Sequence, residues 1–307
     1  MDRRKFIRTT AGMSLAAATA AVIGNFELLF GALPPADGDL FDLVAVRNGE
    51  PDVMFDQAME ALGGMSAFVK PGYKVVIKPN IGWDVAPERA ANTHPGLIRH
   101  IVSRCFGAGA SKVYVFDNTC DEWRKCYQNS GIEPSAKEAG ATVVPANAES
   151  YYLPVEIPAG KRLKSAKVHK VILESDMVIN VPVLKHHSSA DLSIAMKNLM
   201  GIVWDRTYWH RNDLHQCIAD FTTWRVPELN VVDAYRVMMQ NGPRGVSVED
   251  VATFKSMIVS TDIVAADTAA ARLFGAEPGE IDYIRYAAEA GTGTNRLEQL
   301  NIKRIKL

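Results

Sequence analysis

The chain has 307 residues, of which 48 % are hydrophobic, so it can bury a substantial core in one large or two closely joined domains. Its 34 basic and 35 acidic residues give a formal net charge of -1. This balance argues against a nucleic-acid-binding protein that is held by a broad basic field.

Residues 1–33 have the pattern of a twin-arginine export signal, in which Arg3 and Arg4 are followed by Phe6 and a run of small apolar residues. No clean A-x-A cleavage site ends this run, so the segment either is removed or persists as a membrane anchor. We therefore predict that the twin-arginine (Tat) translocase exports this protein to the periplasm or another compartment outside the cytoplasm. Residues 34–307 form the predicted folded domain.

From residue 73 onward, short β-branched runs alternate with helical patterns. This alternation predicts an α/β fold, with a mostly parallel sheet and helices on both faces. The predicted strands are 73–80, 112–118, 141–146, 176–185, 229–235, 256–262 and 301–307. The predicted helices are 94–110, 130–140, 188–201, 214–225, 263–275 and 280–291. Residues 151–171 predict an inserted β-hairpin, which leaves an α+β arrangement as the alternative.

A helix is predicted in the segment SSADLSIAMKNLMG, because Ser188 and Asp191 have the spacing of a capping box and Gly201 suits the position after the helix. Lys197 lies off the apolar stripe of this helix. It either complements the C-terminal end of the helix dipole in solvent or reaches towards a substrate. The nearby Lys185 favours the second interpretation.

Polar side chains follow the apolar runs of several predicted strands, at the edge where open parallel sheets bind their ligands. These side chains are Lys78, Asn80, Asp117, Lys185, His186, His187, Asp233 and Asp262. Asp262 also suits the N-cap of the helix that follows it. For Asp117 and Asp233, helix capping and ligand binding both remain open.

Converging lysines suit an anionic ligand, and histidine with aspartate suits a divalent metal. We predict that a small anionic molecule or cofactor binds to Lys78, Asn80 and Asn198. The candidate catalytic residues are Lys185, His187, Lys197 and His94, and the candidate metal ligands are Asp117, Asp233, His187 and His94. His94 also suits a simple helix start, since Pro95 follows it.

The four cysteines form no C-x-x-C motif, so no iron–sulfur cluster is expected within this chain. Cys120 and Cys126 are the only cysteines near each other in sequence, and export would permit a disulfide between them.

Residues 207–215 contain Tyr208, Trp209 and His210 and suggest an ordered loop over the edge of the sheet.

The segments VVIKPNIG, NTHPGLIRHIV, INVPVLKHHSSADLSIAMKNLMGIV, VVDAY and STDIVAADTAAARLFG resemble the family of unknown function called DUF362. The resemblance covers about residues 43–307. It implies a fold and a site in these segments but no settled reaction. Many relatives carry a ferredoxin-like cysteine cluster, which this sequence lacks.

A fainter similarity is to nickel-pincer lactate racemases, which also use histidines and lysines at an α/β cleft. It implies a racemase or isomerase that acts on a hydroxy or amino acid by proton or hydride transfer between paired bases. The contrasting hypothesis is a protein without turnover, which binds a ligand or takes part in cofactor maturation.

Overall fold

The computed structural model describes residues 41–307, and the predicted export signal lies outside them. The strands are β1 Leu43–Arg47, β2 Lys74–Pro79, β3 Lys112–Val115, β4 Thr142–Val143, β5 Tyr152–Glu156, β6 Ser165–His169, β7 Met177–Val181, β8 Val183–His187, β9 Asp191–Ser193, β10 Leu229–Met238, β11 Val251–Ser260 and β12 Ile302–Lys306. The α-helices are α1 Pro51–Ala61, α2 Met65–Phe68, α3 Pro95–Gly107, α4 Trp123–Asn129, α5 Ile132–Glu138, α6 Lys170–Leu173, α7 Ala195–Asn198, α8 Arg206–Arg211, α9 Leu214–Thr222, α10 Ile263–Phe274 and α11 Asp282–Glu289.

The main sheet has the strand order β12-β1-β11-β10-β7-β2-β3-β4. Strand β8 continues beside β10 beyond the end of β7, and β9 pairs with β8. All pairings are parallel except those of β11 with its two neighbours and of β9 with β8. The predicted mostly parallel α/β sheet is therefore confirmed.

Two hydrophobic layers cover the sheet because successive side chains of a strand point to opposite faces. In β1, Leu43 and Ala45 pack into the layer that contains α9, α10 and α11. Val44 and Val46 pack into the other layer, which contains α1, α3 and α5. The side chain of each strand residue therefore points into one of these two layers, and only polar side chains on the same face of the sheet can contact each other.

The predicted hairpin is present as a separate two-stranded antiparallel sheet of β5 and β6, in which Tyr152 pairs with His169. A single β-bridge between Val168 and Val203 joins it to the segment after α7. The hairpin therefore packs beside the segment that follows Lys197 and Asn198.

Three local predictions were wrong. The strand predicted over 176–185 divides into β7 and β8 at Pro182, which has no N–H group to donate. The helix predicted over 188–201 is reduced to one α-helical turn, α7, followed by the 3₁₀-helix Leu199–Ile202, because the residues before α7 form β9. Asp191 is not part of a capping box: its φ is 60° and it pairs with His187 across the hairpin.

The end of β11 lies at the opposite edge of the sheet from the predicted site, since β11 runs antiparallel to its neighbours. Asp262 follows β11 and caps α10, where its carboxylate accepts the N–H groups of Val264 and Ala265. The capping interpretation of Asp262 is thus correct.

The segment 207–215, which was predicted as a loop, contains most of helix α8.

Candidate functional site

A row of polar side chains crosses the sheet among apolar neighbours. Lys78 on β2 lies opposite Asn180 on β7, which lies opposite Asn230 on β10, and all three are fully buried. Asn198 at the end of α7 covers this row. Its amide donates to the carbonyl of Lys78 at 3.1 Å and to Oδ1 of Asn180 at 2.8 Å. These hydrogen bonds fix α7 against the carboxyl end of β2.

Lys78 is paired with Asp117, which follows β3. Lys78 Nζ lies 3.1 Å from Asp117 Oδ1 and donates to Asn198 Oδ1 at 3.2 Å. Burial lowers the pKa of Lys78, and the Asp117 carboxylate opposes this shift. Asp117 Oδ2 accepts the N–H of Ile81 at 2.6 Å. Both carboxylate oxygens of Asp117 are therefore engaged by the protein.

The β8–β9 hairpin presents Lys185, His187 and Ser193 on one face. Lys185 and His187 are two residues apart on β8, and Ser193 lies directly opposite Lys185. Alternation along a strand places these three side chains together and His186 on the other side. All three line one cavity.

Lys185 is almost fully buried, and its amine is held by two acceptors. Nζ donates to the carbonyl of Ala91 and, at 3.4 Å, to Oδ1 of Asn80. Burial lowers the pKa of Lys185 to about 7. The amine is therefore poised between its charged and neutral forms near neutral pH.

Lys197 lies on α7, whose first turn is anchored by Asp267 of α10. The carboxylate of Asp267 accepts the N–H groups of Ala195 at 2.7 Å and Met196 at 3.1 Å. Lys197 itself is half-buried, and its amine has no hydrogen-bond or ion-pair partner among residues 41–307. Burial lowers its pKa to about 8.

These elements surround a cavity of about 430 Å³. It is lined by Asn80, Gly82, Trp83, Asp117, Cys120, Lys185, His187, Ser188, Ser189, Ser193, Lys197, Asn198, Met200, Gly201, Arg206, Thr207, His210 and Pro243. Asp117 is the one acidic side chain in this lining, and Lys78 already pairs with it. The positive charge of Lys185, Lys197 and Arg206 is therefore not balanced by the described walls of the cavity.

His187 is neutral in this setting. Burial and the neighbouring Lys197 and Lys185 lower its pKa to about 2. Its Nδ1 accepts the N–H of Ser189 at 3.1 Å, which places the ring proton on Nε2. The imidazole can therefore donate one hydrogen bond from Nε2.

His94 and Asp233 do not line this cavity, contrary to the sequence prediction. Asp233 shares the alternation of Val231 and Tyr235 on β10, which point into the layer of α1 and α3. There its carboxylate accepts the N–H of His94 at 2.8 Å and that of Tyr235 at 3.0 Å. Asp233 thus fixes the start of α3, while His94 packs edge-on against Tyr235.

The four predicted metal ligands are consequently divided between two faces of the sheet, and only Asp117 and His187 share the cavity. Within residues 41–307, no group of three His, Cys, Asp or Glu side chains is placed to hold a metal ion. The donor set as predicted does not fit a metal centre.

Three residues of the site escaped the sequence analysis. Arg206 was not considered; its guanidinium donates to the carbonyls of Asn118 at 2.8 Å and Thr119 at 2.6 Å. Ser193 belongs to a strand that was predicted as helix. Asp267 had a usable signal, because it is a lone carboxylate in the apolar run IVAADTAAARLF.

The cysteines, including Cys120 and Cys126, are free thiols.

We expect Asp267→Asn to reduce the pH dependence of stability. Burial raises the pKa of Asp267 to about 8, so the folded chain retains a proton that the unfolded chain releases above about pH 4. The contribution of Asp267 to wild-type stability should therefore fall as pH rises from 4 to 8, by at most about 1.4 kcal/mol per pH unit. Urea denaturation of both proteins at pH 5 and pH 8 measures this contribution, because the change in stability between the two pH values should be less unfavourable in the variant. Equal losses in the two proteins would contradict the expectation.

Comparisons with known proteins identify the family of this chain. The family model described as "Domain of unknown function (DUF362)" matches residues 75–272. A Synechocystis protein described as "Thylakoid-associated protein sll1697" is 24 % identical over 245 residues, which are 77 % of this chain and 73 % of that protein.

The lactate racemase apoprotein from Thermoanaerobacterium thermosaccharolyticum superposes with a TM-score of 0.44 at 12 % identity. The match covers 73 % of this chain and 58 % of the racemase chain. In the described part of the chain, no helix has the length and apolar character needed to cross a membrane.

Proposed function

The chain belongs to the DUF362 family, a domain of unknown function, and from the residues that line the cavity we propose that it binds a small organic anion at the carboxyl edge of the sheet. Lys197 is the principal anchor of the carboxylate or phosphate group. Lys185 and the Nε2–H of His187 are further donors.

The observation that carries this proposal is the unpaired amine of Lys197. A half-buried ammonium group normally has a carboxylate or several carbonyl oxygens beside it. Here the nearest acidic group in the lining, Asp117, is already held by Lys78 and by the N–H of Ile81. An anion in the cavity would supply the missing partner through a charge-assisted hydrogen bond.

Anion binding should also be linked to proton uptake. An anion near Lys185 and Lys197 stabilises their charged forms and raises pKa values that burial has lowered to about 7 and about 8. At pH 8, each binding event should therefore take up a fraction of a proton. Affinity should fall as pH rises above about 8, where both amines lose their charge.

The test is calorimetric titration of the full chain with succinate, citrate and inorganic phosphate at pH 8. Each titration is repeated in two buffers that differ in ionisation enthalpy, so that proton uptake appears as a difference in the observed heat. Succinamide, which has the shape of succinate without its charge, serves as the matched control. Failure of all three anions to bind at millimolar concentration, or equal binding of succinamide, would overturn the proposal.

A divalent metal enters the proposal only through the oxygens of the bound anion, because Asp117 is already held by Lys78 and Ile81 and Nδ1 of His187 accepts the N–H of Ser189. Carboxylate and phosphate oxygens of a ligand are suitable partners for a divalent metal. Elemental analysis of the purified chain, before and after dialysis against a chelator, tests this component separately. Anion affinity that is unchanged by dialysis would remove the metal from the proposal.

We also propose that the chain acts outside the cytoplasm. Support comes from the twin-arginine pattern and from the name of the thylakoid-associated relative. Conservative replacement of both Arg3 and Arg4 by Lys should retain the protein in the cytoplasmic fraction, since the signal depends on the arginine pair. Immunoblots of cell fractions measure the distribution, and unchanged export of the double variant would contradict this proposal.

A further inference from the structure

Cys120 is the accessible thiol of this chain. The other three cysteines, Cys105, Cys126 and Cys217, are buried, whereas Cys120 is exposed. Burial raises the pKa of each of these three buried thiols to about 12. A buried and protonated thiol is a poor nucleophile, because the thiolate is the reactive form and the reagent must reach the sulfur. Thiol chemistry near neutral pH is therefore confined to Cys120.

The thiol of Cys120 lies on the wall of the anion cavity and is held in place there. The backbone N–H of Cys120 donates to the carbonyl of Gly82 at 2.8 Å, and Arg206 Nη1 donates to its Sγ at 3.5 Å. The same guanidinium also donates to the carbonyls of Asn118 and Thr119. Sγ is therefore fixed beside a cation that is itself anchored.

Two other side chains of the cavity indicate that a polar molecule binds next to this thiol. Ser193 is only 5 % exposed, and its Oγ opens to the cavity without a hydrogen bond to any residue in the described range 41–307. The amine of Lys197 also lacks a partner in that range. Polar groups in such sheltered positions are normally hydrogen-bonded. A polar molecule in the cavity would supply partners for both.

We propose that Cys120 is a modification site, at which a small disulfide that carries carboxylate groups forms a mixed disulfide with the chain. The proposal rests on the proposed anion site, because Lys197 and Arg206 would attract the carboxylates. Cationic walls raise the local concentration of an anionic reagent, and binding in the cavity holds it close to Sγ. The half that stays on Cys120 would occupy the cavity and exclude a free anion.

The exchange balances with the small disulfide as the only co-reactant. Cys120 Sγ attacks one sulfur of the disulfide, so that a new S–S bond forms and the original S–S bond breaks. The departing sulfur takes the electron pair of that bond and, in total, the proton that Cys120 loses. Cys120 is thereby oxidised and the departing thiol is the reduced product. A second thiol can reverse the reaction by the same steps.

The test compares two aromatic disulfides that release coloured thiols, the dianion dithiobis(nitrobenzoate) and the neutral dithiodipyridine. Their rate constants with the full chain are measured at pH 7, and mercaptoethanol gives the ratio for a thiol without a cavity. Relative to mercaptoethanol, the wild type should favour the anionic disulfide by about 10-fold or more, the size expected for one hydrogen bond to a charged group. Lys197→Met should bring this preference towards that of mercaptoethanol.

Mass spectrometry should place a single adduct on Cys120, and Cys120→Ser should remove it. Cys105→Ala is the matched control and should react as the wild type, because Cys105 is a fully buried thiol on α3 and does not line the cavity. Succinate should slow the reaction of the wild type with the anionic disulfide. The modified chain should no longer bind succinate until a reducing agent releases the adduct.

An adduct on a different cysteine, or a preference equal to that of mercaptoethanol, overturns the proposal. Succinate binding that is unchanged in the modified chain also overturns it. If no adduct forms while succinate binds the wild type in the titration, the modification site fails and the anion site stands. Absence of succinate binding to the unmodified wild type instead refutes the anion site, and with it the attraction on which the modification depends.

Discussion

Lys197→Met should weaken binding of the anion by roughly 10- to 100-fold, which corresponds to one charge-assisted hydrogen bond. Methionine preserves most of the apolar length of the side chain, so the packing of α7 should change little. The variant removes the amine that has no partner in the described chain, and with it the main attraction for a carboxylate or phosphate. Calorimetric titration with the best-binding anion measures the loss directly.

Two controls separate this effect from a general change of charge. Lys197→Arg keeps a positive group and should retain most of the affinity. Lys125→Met removes an exposed charge on α4, away from the cavity lining, and should leave affinity unchanged. The proton uptake seen with wild type at pH 8 should also decrease in Lys197→Met. Equal affinities of the wild type and Lys197→Met would show that the anion is held elsewhere.

Lys197→Met should also be more stable than the wild type in the absence of ligand. Burial of an ammonium group without a partner costs free energy, and the neighbouring Lys78 and Arg206 add repulsion. The expected gain is about 1 kcal/mol, because the group is only half-buried. A residue that weakens the empty protein but strengthens the complex is typical of a binding site.

The edge of the sheet at which the site lies could be predicted from the sequence, because polar residues follow several strands. Lys78, Asp117 and Lys185 all reach that edge. The face of the sheet on which each polar side chain lies could not be predicted as easily. Asp233 lies inside β10, with its side chain in the layer opposite Asn230, and only the observed register reveals this separation.

The hairpin that carries Ser193 was hidden by a misleading local pattern. Leu192, Ala195, Met196 and Leu199 have helical spacing, and Ser188 precedes them as a suitable cap. The observed chain instead turns back at residues 188–190 and pairs β9 with β8. Pairing between strands that are so close in sequence competes directly with a short helix, and propensity alone does not decide between them.

The sequence places Lys78 and Lys197 in the site but does not reveal their different surroundings. Burial and hydrogen bonding distinguish Lys78, which is paired with Asp117, from Lys197, which is unpaired. Both residues are lysines beside apolar runs in the sequence. Their difference arises from Asn198 and Asp267, which place α7 over the sheet and direct successive side chains to different surroundings.

Gly201→Ala should be the most destabilising small substitution near the cavity. Gly201 follows α7 in a turn of 3₁₀-helix, and its Cα lies against the buried pair of Lys78 and Asp117. An added Cβ would overlap Asp117 Oδ1 and lie 2.6 Å from Lys78 Cε. Neither side chain can retreat easily, because both are almost fully buried and the Asp117 carboxylate is also bound to the N–H of Ile81.

Separation of a buried ion pair leaves two uncompensated charges, so Gly201→Ala should lower the free energy of unfolding by about 3–5 kcal/mol. It should also weaken anion binding, since an Asp117 carboxylate released from Lys78 repels the ligand. Gly279→Ala is the matched control: Gly279 also lies in a 3₁₀-helix, and apart from Gly279 and its two chain neighbours no atom of residues 41–307 lies within 4 Å of its added Cβ. Urea denaturation of both variants measures the difference. Equal stabilities of Gly201→Ala and Gly279→Ala would show that the Lys78–Asp117 ion pair is not packed rigidly against Gly201. The ion pair could then not be what keeps Asp117 from competing with the anion for Lys197.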